Sequence, residues 1–205
     1  MRNRIFKQIE AMGEQKLDRY YTLDEFVLLE QAAPDVRYEY IDGYIYAMAG
    51  GTINHGKIIS NITFRIQEKT RSGNLGCTTF GSDVKISIES RNIFLYPDAF
   101  VVCGEIKEDN QYSGAVTNPH LIIEVLSKST QNYDKTRKFR LYRMIPSLKE
   151  YILIDQYQMV VESFFRKPGG DWQIRTYLHE DDWVQIHSLD IAIPVSHIYE
   201  RVSLS

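Results

Sequence analysis

Residues 120–130 read HLIIEVLSKST, and the apolar run inside this stretch decides the fold. Leu121, Ile122, Ile123, Val125 and Leu126 are contiguous, branched and few, which predicts a strand buried on both faces of a sheet. Glu124 interrupts that run. An ionised carboxylate in such a place must be paired, hold a metal, or lie where the strand end meets water. Glu124 is therefore the first candidate functional residue.

Working outward, "TLDEFVLLEQ" predicts a helix starting at Thr22, because Thr22 and Glu25 have capping-box spacing and Phe26 and Leu29 form a stripe. "RYEYIDGYIYAM" predicts a hairpin turning at Asp42-Gly43, with Glu39 on its first strand. From His55 to about Arg71, Ile58, Ile59, Ile62 and Ile66 recur at helical spacing, which predicts a helix packed on the core. "TTFGSDVKISI" and "IFLYPDAFVVC" each read as one strand, followed by the strand at 120–126. A second helix is expected over 132–144, ended by Pro146. "KEYILID" is a further buried strand, and the chain after it a hairpin turning at Pro168-Gly169-Gly170-Asp171. The order predicts an α/β fold with a central mixed sheet flanked by helices.

Composition bounds this reading. The chain has 205 residues, of which 43% are apolar and 25% charged, enough for one well-filled core over residues 20–205. Residues 1–19 read as an N-terminal extension, an appended arm or short helix. A net charge of -3 argues against coating nucleic acid by bulk charge, although a local basic patch remains compatible with binding it. Cys77 and Cys103 have no ligand spacing, so neither a zinc site nor a disulfide framework is indicated, and both are expected as small buried hydrophobes. No apolar stretch approaches the ~20 residues that span a bilayer, and the N-terminus lacks a secretory core, so a cytoplasmic location and no membrane partner are expected.

Asp98 follows Pro97 in a strand-like run, and Glu124 lies on what should be a neighbouring strand. Two carboxylates converging at one sheet end offer hard oxygen ligands to Mg²⁺ or Mn²⁺. Such an ion lowers the pKa of a bound water and stabilises charge building on a phosphate, the two contributions phosphodiester hydrolysis most needs. Asp134, Lys138 and Tyr142, at i, i+4 and i+8, share one helix face, which can look back across the sheet end toward Glu124 or out to solvent. Lys128, Lys135, Arg137, Lys138, Arg140 and Arg143 against the single acid Asp134 give a local charge of +5, suited to a phosphate backbone.

"YPDAF", "IIEVLS" and the "YDKTRKFRLY" helix, preceded by "YYTLDEF", "RYEYIDGYIYAM" and His55 and followed by "EYILID", resemble the putative restriction endonuclease (Uma-two) family of the PD-(D/E)XK nuclease superfamily. The likeness spans residues 20–200 and implies a restriction-endonuclease-like core. It implies metal binding by Asp98 and Glu124, with Glu39 as an upstream acid. The motif's lysine would fall at Leu126, so the resemblance implies that Lys138 on the following helix replaces it. The implied function is a metal-dependent endonuclease acting on DNA, with no organic cofactor. The alternative is an inactive nuclease fold that binds nucleic acid or protein.

Each residue also has a plainer role open to it. Asp98 can end strand pairing, and Lys138 can form an ordinary surface pair with Asp134 worth roughly 0.3–0.5 kcal/mol. Glu39 can pair with Arg37 or Lys57, and His55 can be a proton shuttle, a phosphate contact or a satisfied helix-terminal residue. Tyr38, Tyr40, Tyr44 and Tyr46 are expected as a packed or interfacial face, and a homodimer contact is favoured over a base-stacking platform.

Overall fold

The structure is a computed structural model that describes residues 15–17, 19–48, 50–128 and 131–204. Residues 1–14 and 18 of the expected arm lie outside the described residues. Gln15–Lys16 form a short strand, β1, paired with a later strand.

Thr22 caps α1 (Leu23–Ala32) reciprocally with Glu25, as the spacing predicts. The hairpin of β2 (Tyr38–Ile41) and β3 (Tyr44–Ala47) turns at Asp42 and Gly43, whose φ values of 50° and 83° suit a tight turn that continues the strand twist. Helix α2 (Ile53–Ser72), capped by Thr52, buries Ile58, Ile62 and Ile66 completely.

Two runs expected as single strands are each broken. The first divides into β4 (Cys77–Gly81) and β5 (Lys85–Ile88), the second into β6 (Ile93–Leu95) and β7 (Ala99–Cys103). In each case the halves belong to different sheets. The chain crosses between sheets at Ser82-Asp83-Val84 and again at Tyr96-Pro97-Asp98. Proline cannot donate to a ladder, so the second crossing falls where pairing must stop. Asp98 is consequently at a strand entrance, not mid-strand.

The remaining strands are β8 (Ala115–Val116), β9 (Leu121–Leu126), β10 (Glu150–Asp155), β11 (Val161–Arg166), β12 (Trp172–Tyr177), β13 (Trp183–Ile186) and β14 (Ile191–Pro194). The α/β architecture of mixed sheet flanked by helices is as expected from sequence, with the strands divided between two six-stranded mixed sheets, ordered β1-β3-β2-β6-β5-β8 and β12-β11-β10-β9-β7-β4. In the second, β9 runs parallel to β10 and antiparallel to β7, so it is buried on both faces as its composition predicts. One face of that sheet packs α2, the β13–β14 hairpin and α4 (Val195–Ile198) through Ala99, Val101, Leu121, Ile123 and Val125. The other face, through Phe100, Ile122, Leu126 and Tyr151, meets the first sheet and a helix over residues 131–142, α3. Helix α3 (residues 131–142) is a composite in which the middle segment, Asp134–Lys138, is wound as a π-helix. Glu124 shares the face of Ile122 and Leu126, beneath α3.

One further expectation is corrected. Cys77 and Cys103 lie directly opposite in the β4–β7 ladder and form a disulfide, a partnership that register creates and sequence spacing does not reveal. Tyr38 and Tyr40 are buried against α1, Tyr40 stacking on Phe26, so these two take the packed role of the two expected for the tyrosines. Among the described residues no helix is long and apolar enough to cross a membrane.

Candidate active site

The antiparallel β7–β9 pairing sets Ala99 opposite Ile123, which brings the residue before one beside the residue after the other. The Asp98 amide donates to Glu124 Oε2 at 3.3 Å, and the Val125 amide donates to Asp98 Oδ2 at 2.7 Å. His55, in the first turn of α2, donates from Nε2 to the same Asp98 oxygen at 3.1 Å. Glu124 Oε1 accepts from Lys138 Nζ and from the Tyr142 hydroxyl, each at 3.0 Å. Both donors come from α3, whose buried face carries Asp134, Lys138 and Tyr142 as the spacing predicts, the Asp134–Lys138 pair at 3.8 Å. Asp98, Glu124, Asp134, Lys138 and His55 line a cavity of about 550 Å³.

One buried cation serves several acids here. Lys138 Nζ also lies 3.1 Å from Glu39 Oε1, and it is only 4% exposed. Burial pushes the Glu124 carboxyl well above the ordinary carboxylate range against the pull of Lys138, and Asp98, Asp134 and Glu39 add repulsion. Burial also works against the Lys138 ammonium, yet Glu124 and Glu39 outweigh it and hold its pKa well above the usual lysine value. The result is a fixed positive charge behind an acidic mouth.

Among the described residues no three His, Cys, Asp or Glu side chains are grouped as a ready-made cation site. The donor set nevertheless fits Mg²⁺ or Mn²⁺. Among the described residues Asp98 uses only Oδ2 in hydrogen bonds and Glu124 Oε2 accepts a single long one, which leaves carboxylate capacity on two neighbouring acids at the cavity. Mg²⁺ is commonly held by one or two carboxylates, with waters and substrate oxygens completing its shell.

The family model described as "Putative restriction endonuclease" (Uma2) matches residues 23–196. The chain belongs to this Uma2 family. Two uncharacterised proteins of Synechocystis sp., slr1290 and sll1609, are 34% and 33% identical to it over 82% and 83% of this chain and 85% and 94% of theirs. A crystal structure described as a putative nuclease belonging to DUF820, from Anabaena variabilis, superposes with a TM-score of 0.70 at 18% identity, covering 89% of this chain and 99% of that one. At that identity the likeness is one of fold.

Within this Uma2 chain not every expected residue reaches the cavity. Glu39 is buried behind Lys138 and accepts from the Tyr96 amide and the Tyr133 hydroxyl, not from Arg37 or Lys57. The basic run of residues 128–143 disperses. Lys138 turns inward, Lys135 pairs with Glu162, Arg137 donates to the Tyr46 hydroxyl, and Arg140 is exposed. Of that run only Lys128 and Lys138 line the cavity, Lys128 lying over the Tyr157 ring at its rim. Sequence reasoning missed Thr52 and Gln156. The Thr52 hydroxyl accepts the His55 amide and donates to Gln156 Oε1, while Gln156 Nε2 donates to the Leu126 carbonyl at 2.9 Å. This chain ties the α2 N-terminus to the ends of β9 and β10. Thr52 carried a signal, since a threonine three residues before His55 is a cap. Gln156 carried none.

Proposed function

We propose that this protein is a Mg²⁺- or Mn²⁺-dependent endonuclease that hydrolyses DNA phosphodiester bonds. The observation that carries the proposal is the pairing of Asp98 and Glu124 across β7 and β9 at the cavity, backed by the buried ammonium of Lys138. Asp98 and Glu124 would hold the metal, which when bound supplies an acidified water and charge stabilisation at phosphorus.

The protein's own groups do the rest by fixing those carboxylates. Lys138 and Tyr142 direct two hydrogen bonds at Glu124 Oε1, leaving Oε2 toward Asp98. His55 Nε2–H and the Val125 amide hold Asp98 Oδ2, so Oδ1 is left for a ligand. Glu39 keeps Lys138 charged and in register without reaching the cavity. Preorganised groups of this kind need not reorient as charge develops.

The test is incubation of purified protein with supercoiled plasmid, linear duplex and single-stranded DNA in Mg²⁺, Mn²⁺ or EDTA, beside Asp98→Asn and Glu124→Gln. Metal-dependent cleavage lost in EDTA and in both variants is expected. Absence of cleavage by the wild type with either metal, or equal cleavage by the variants, would overturn the proposal.

A further inference from the structure

A substrate with phosphates needs a cation that still has donors to give; Lys128 stands exposed at the rim over the Tyr157 ring, while two lysines of α3 are committed elsewhere. Lys138 is surrounded by carboxylates and the Tyr96 carbonyl, and Lys135 is paired with Glu162. Arg37 is different. It begins the segment leading into β2, two residues before Glu39, and is half-buried in the wall of the acidic cavity. Its Nη1 donates to the Ser82 carbonyl at 3.0 Å, at the crossing between β4 and β5. Among the described residues no carboxylate pairs with its guanidinium.

Partial burial of a guanidinium costs hydration, and a single neutral carbonyl returns little of it. That carbonyl does, however, fix the plane of the fork while, among the described residues, nothing accepts from Nη2 or Nε, the arrangement that suits bidentate contact with an oxyanion. Arg37 also borders a second cavity, of about 410 Å³, which Tyr96 helps to line. There Lys85 is neutralised by Glu30 at 2.6 Å, and the Tyr96 and Tyr112 side chains form part of the wall. Arg37 is thus the cation shared by the acidic cavity and its neighbour.

We infer that Arg37 is a phosphate anchor for the nucleic-acid strand, gripping a backbone phosphate next to the reactive one and leading the strand from the acidic cavity toward the second. The inference rests on the proposed endonuclease function and adds a binding residue to it.

The experiment measures equilibrium binding of fluorescent single-stranded and duplex DNA oligonucleotides by anisotropy, in EDTA, across a salt series. Wild type is compared with Arg37→Met, Arg37→Lys and a control, Arg175→Met on the edge strand β12, with thermal melts showing that each variant folds. Arg37→Met is expected to weaken binding roughly 10- to 100-fold and to lower the salt slope by about one charge, as removal of one charged hydrogen-bonding group does. Arg37→Lys should fall between, because it restores charge without the fork. Arg175→Met should stay close to wild type. Wild-type affinity and slope in Arg37→Met, a loss no larger than the control's, or no oligonucleotide binding by the wild type would each overturn the anchor. Cleavage is followed in Mg²⁺ in parallel. Binding that depends on Arg37 without cleavage leaves the anchor standing and removes the endonuclease, whereas cleavage with an unchanged KM in Arg37→Met does the reverse.

Discussion

Lys138 and Glu124 are 14 residues apart in sequence and 3.0 Å apart in space, joined inside a core where each is almost wholly shielded from water. The pair is one edge of a larger cluster, since Glu39 lies 3.1 Å and Asp134 3.8 Å from the same ammonium. A buried cation surrounded in this way cannot be removed without stranding its acids.

Lys138→Met is therefore expected to destabilise the protein by about 3–5 kcal/mol near neutral pH. The sign with pH follows from linkage. The Glu124 carboxyl binds its proton more tightly in the folded state, so ionising it lowers stability as pH rises from the ordinary carboxylate pKa through the raised one. Without Lys138 that pKa rises further, and the variant's deficit should widen with pH. Lys138's own contribution is fully present below the ordinary lysine pKa, so it persists through neutrality. Urea unfolding in EDTA at about pH 5 and about pH 8 measures the deficit at both ends of this range. A deficit that is constant with pH would count against the coupling.

Mn²⁺ should raise the melting temperature of the wild type. A ligand present at about 100 times its Kd stabilises by about 2.7 kcal/mol. Asp98→Asn and Glu124→Gln should lose most of that increment, because each removes a carboxylate from a two-acid site. Differential scanning fluorimetry with and without Mn²⁺ measures it. An undiminished shift in both variants would put the ion elsewhere.

Gly51→Ala tests how closely His55 is held. A Cβ added at Gly51 would stand 2.6 Å from His55 Nδ1, and the ring must move to make room. That movement draws Nε2 away from Asp98 Oδ2, its partner at 3.1 Å. Because Gly51 is exposed and has no left-handed φ, stability should change by no more than about 0.5 kcal/mol. Activity should fall roughly 10- to 100-fold, the usual consequence of misplacing a reacting group by about 1 Å. Cleavage rates beside a urea melt separate the two effects, and unchanged cleavage would remove His55 from the positioning of Asp98.

Much of this site was legible in the sequence because its chemistry violates the local pattern. Glu124 is conspicuous inside an apolar strand, and the i, i+4, i+8 spacing of Asp134, Lys138 and Tyr142 survives the π-helical turn as one buried face. The strand breaks were hidden for the opposite reason. β5 and β6 are buried on both faces, so apolar residues run through the crossings, and only Ser82-Asp83 and Pro97-Asp98 mark them. Charge counting also failed on α3, since a sum over residues carries no direction and Lys138 points inward while Lys135 reaches β11. Burial alone would not have singled out Glu124 either. Glu150 is equally enclosed in β10, but it is satisfied by the Ser163 hydroxyl at 2.6 Å and the Ser188 amide at 2.8 Å. What distinguishes the two acids is the neighbour across the sheet.

The Cys77–Cys103 disulfide gives the last prediction. It closes a chain separation of 26 residues that includes the crossings into and out of the first sheet, and for a loop of about this length the chain-entropy model gives about 3–4 kcal/mol. The bond joins the β7 end remote from Asp98, because Cys103 closes the strand that Ala99 opens. Reduction, or the double substitution Cys77→Ser with Cys103→Ser, should therefore lower the urea midpoint clearly while leaving Mn²⁺ binding and cleavage under native conditions within about twofold of wild type, since sites without shared partners act nearly independently. Equilibrium unfolding with and without reductant, paired with the cleavage assay, decides it. Parallel losses of stability and of metal binding would mean that the β4–β7 ladder holds Asp98 in place and that the edge of the sheet is part of the site's support.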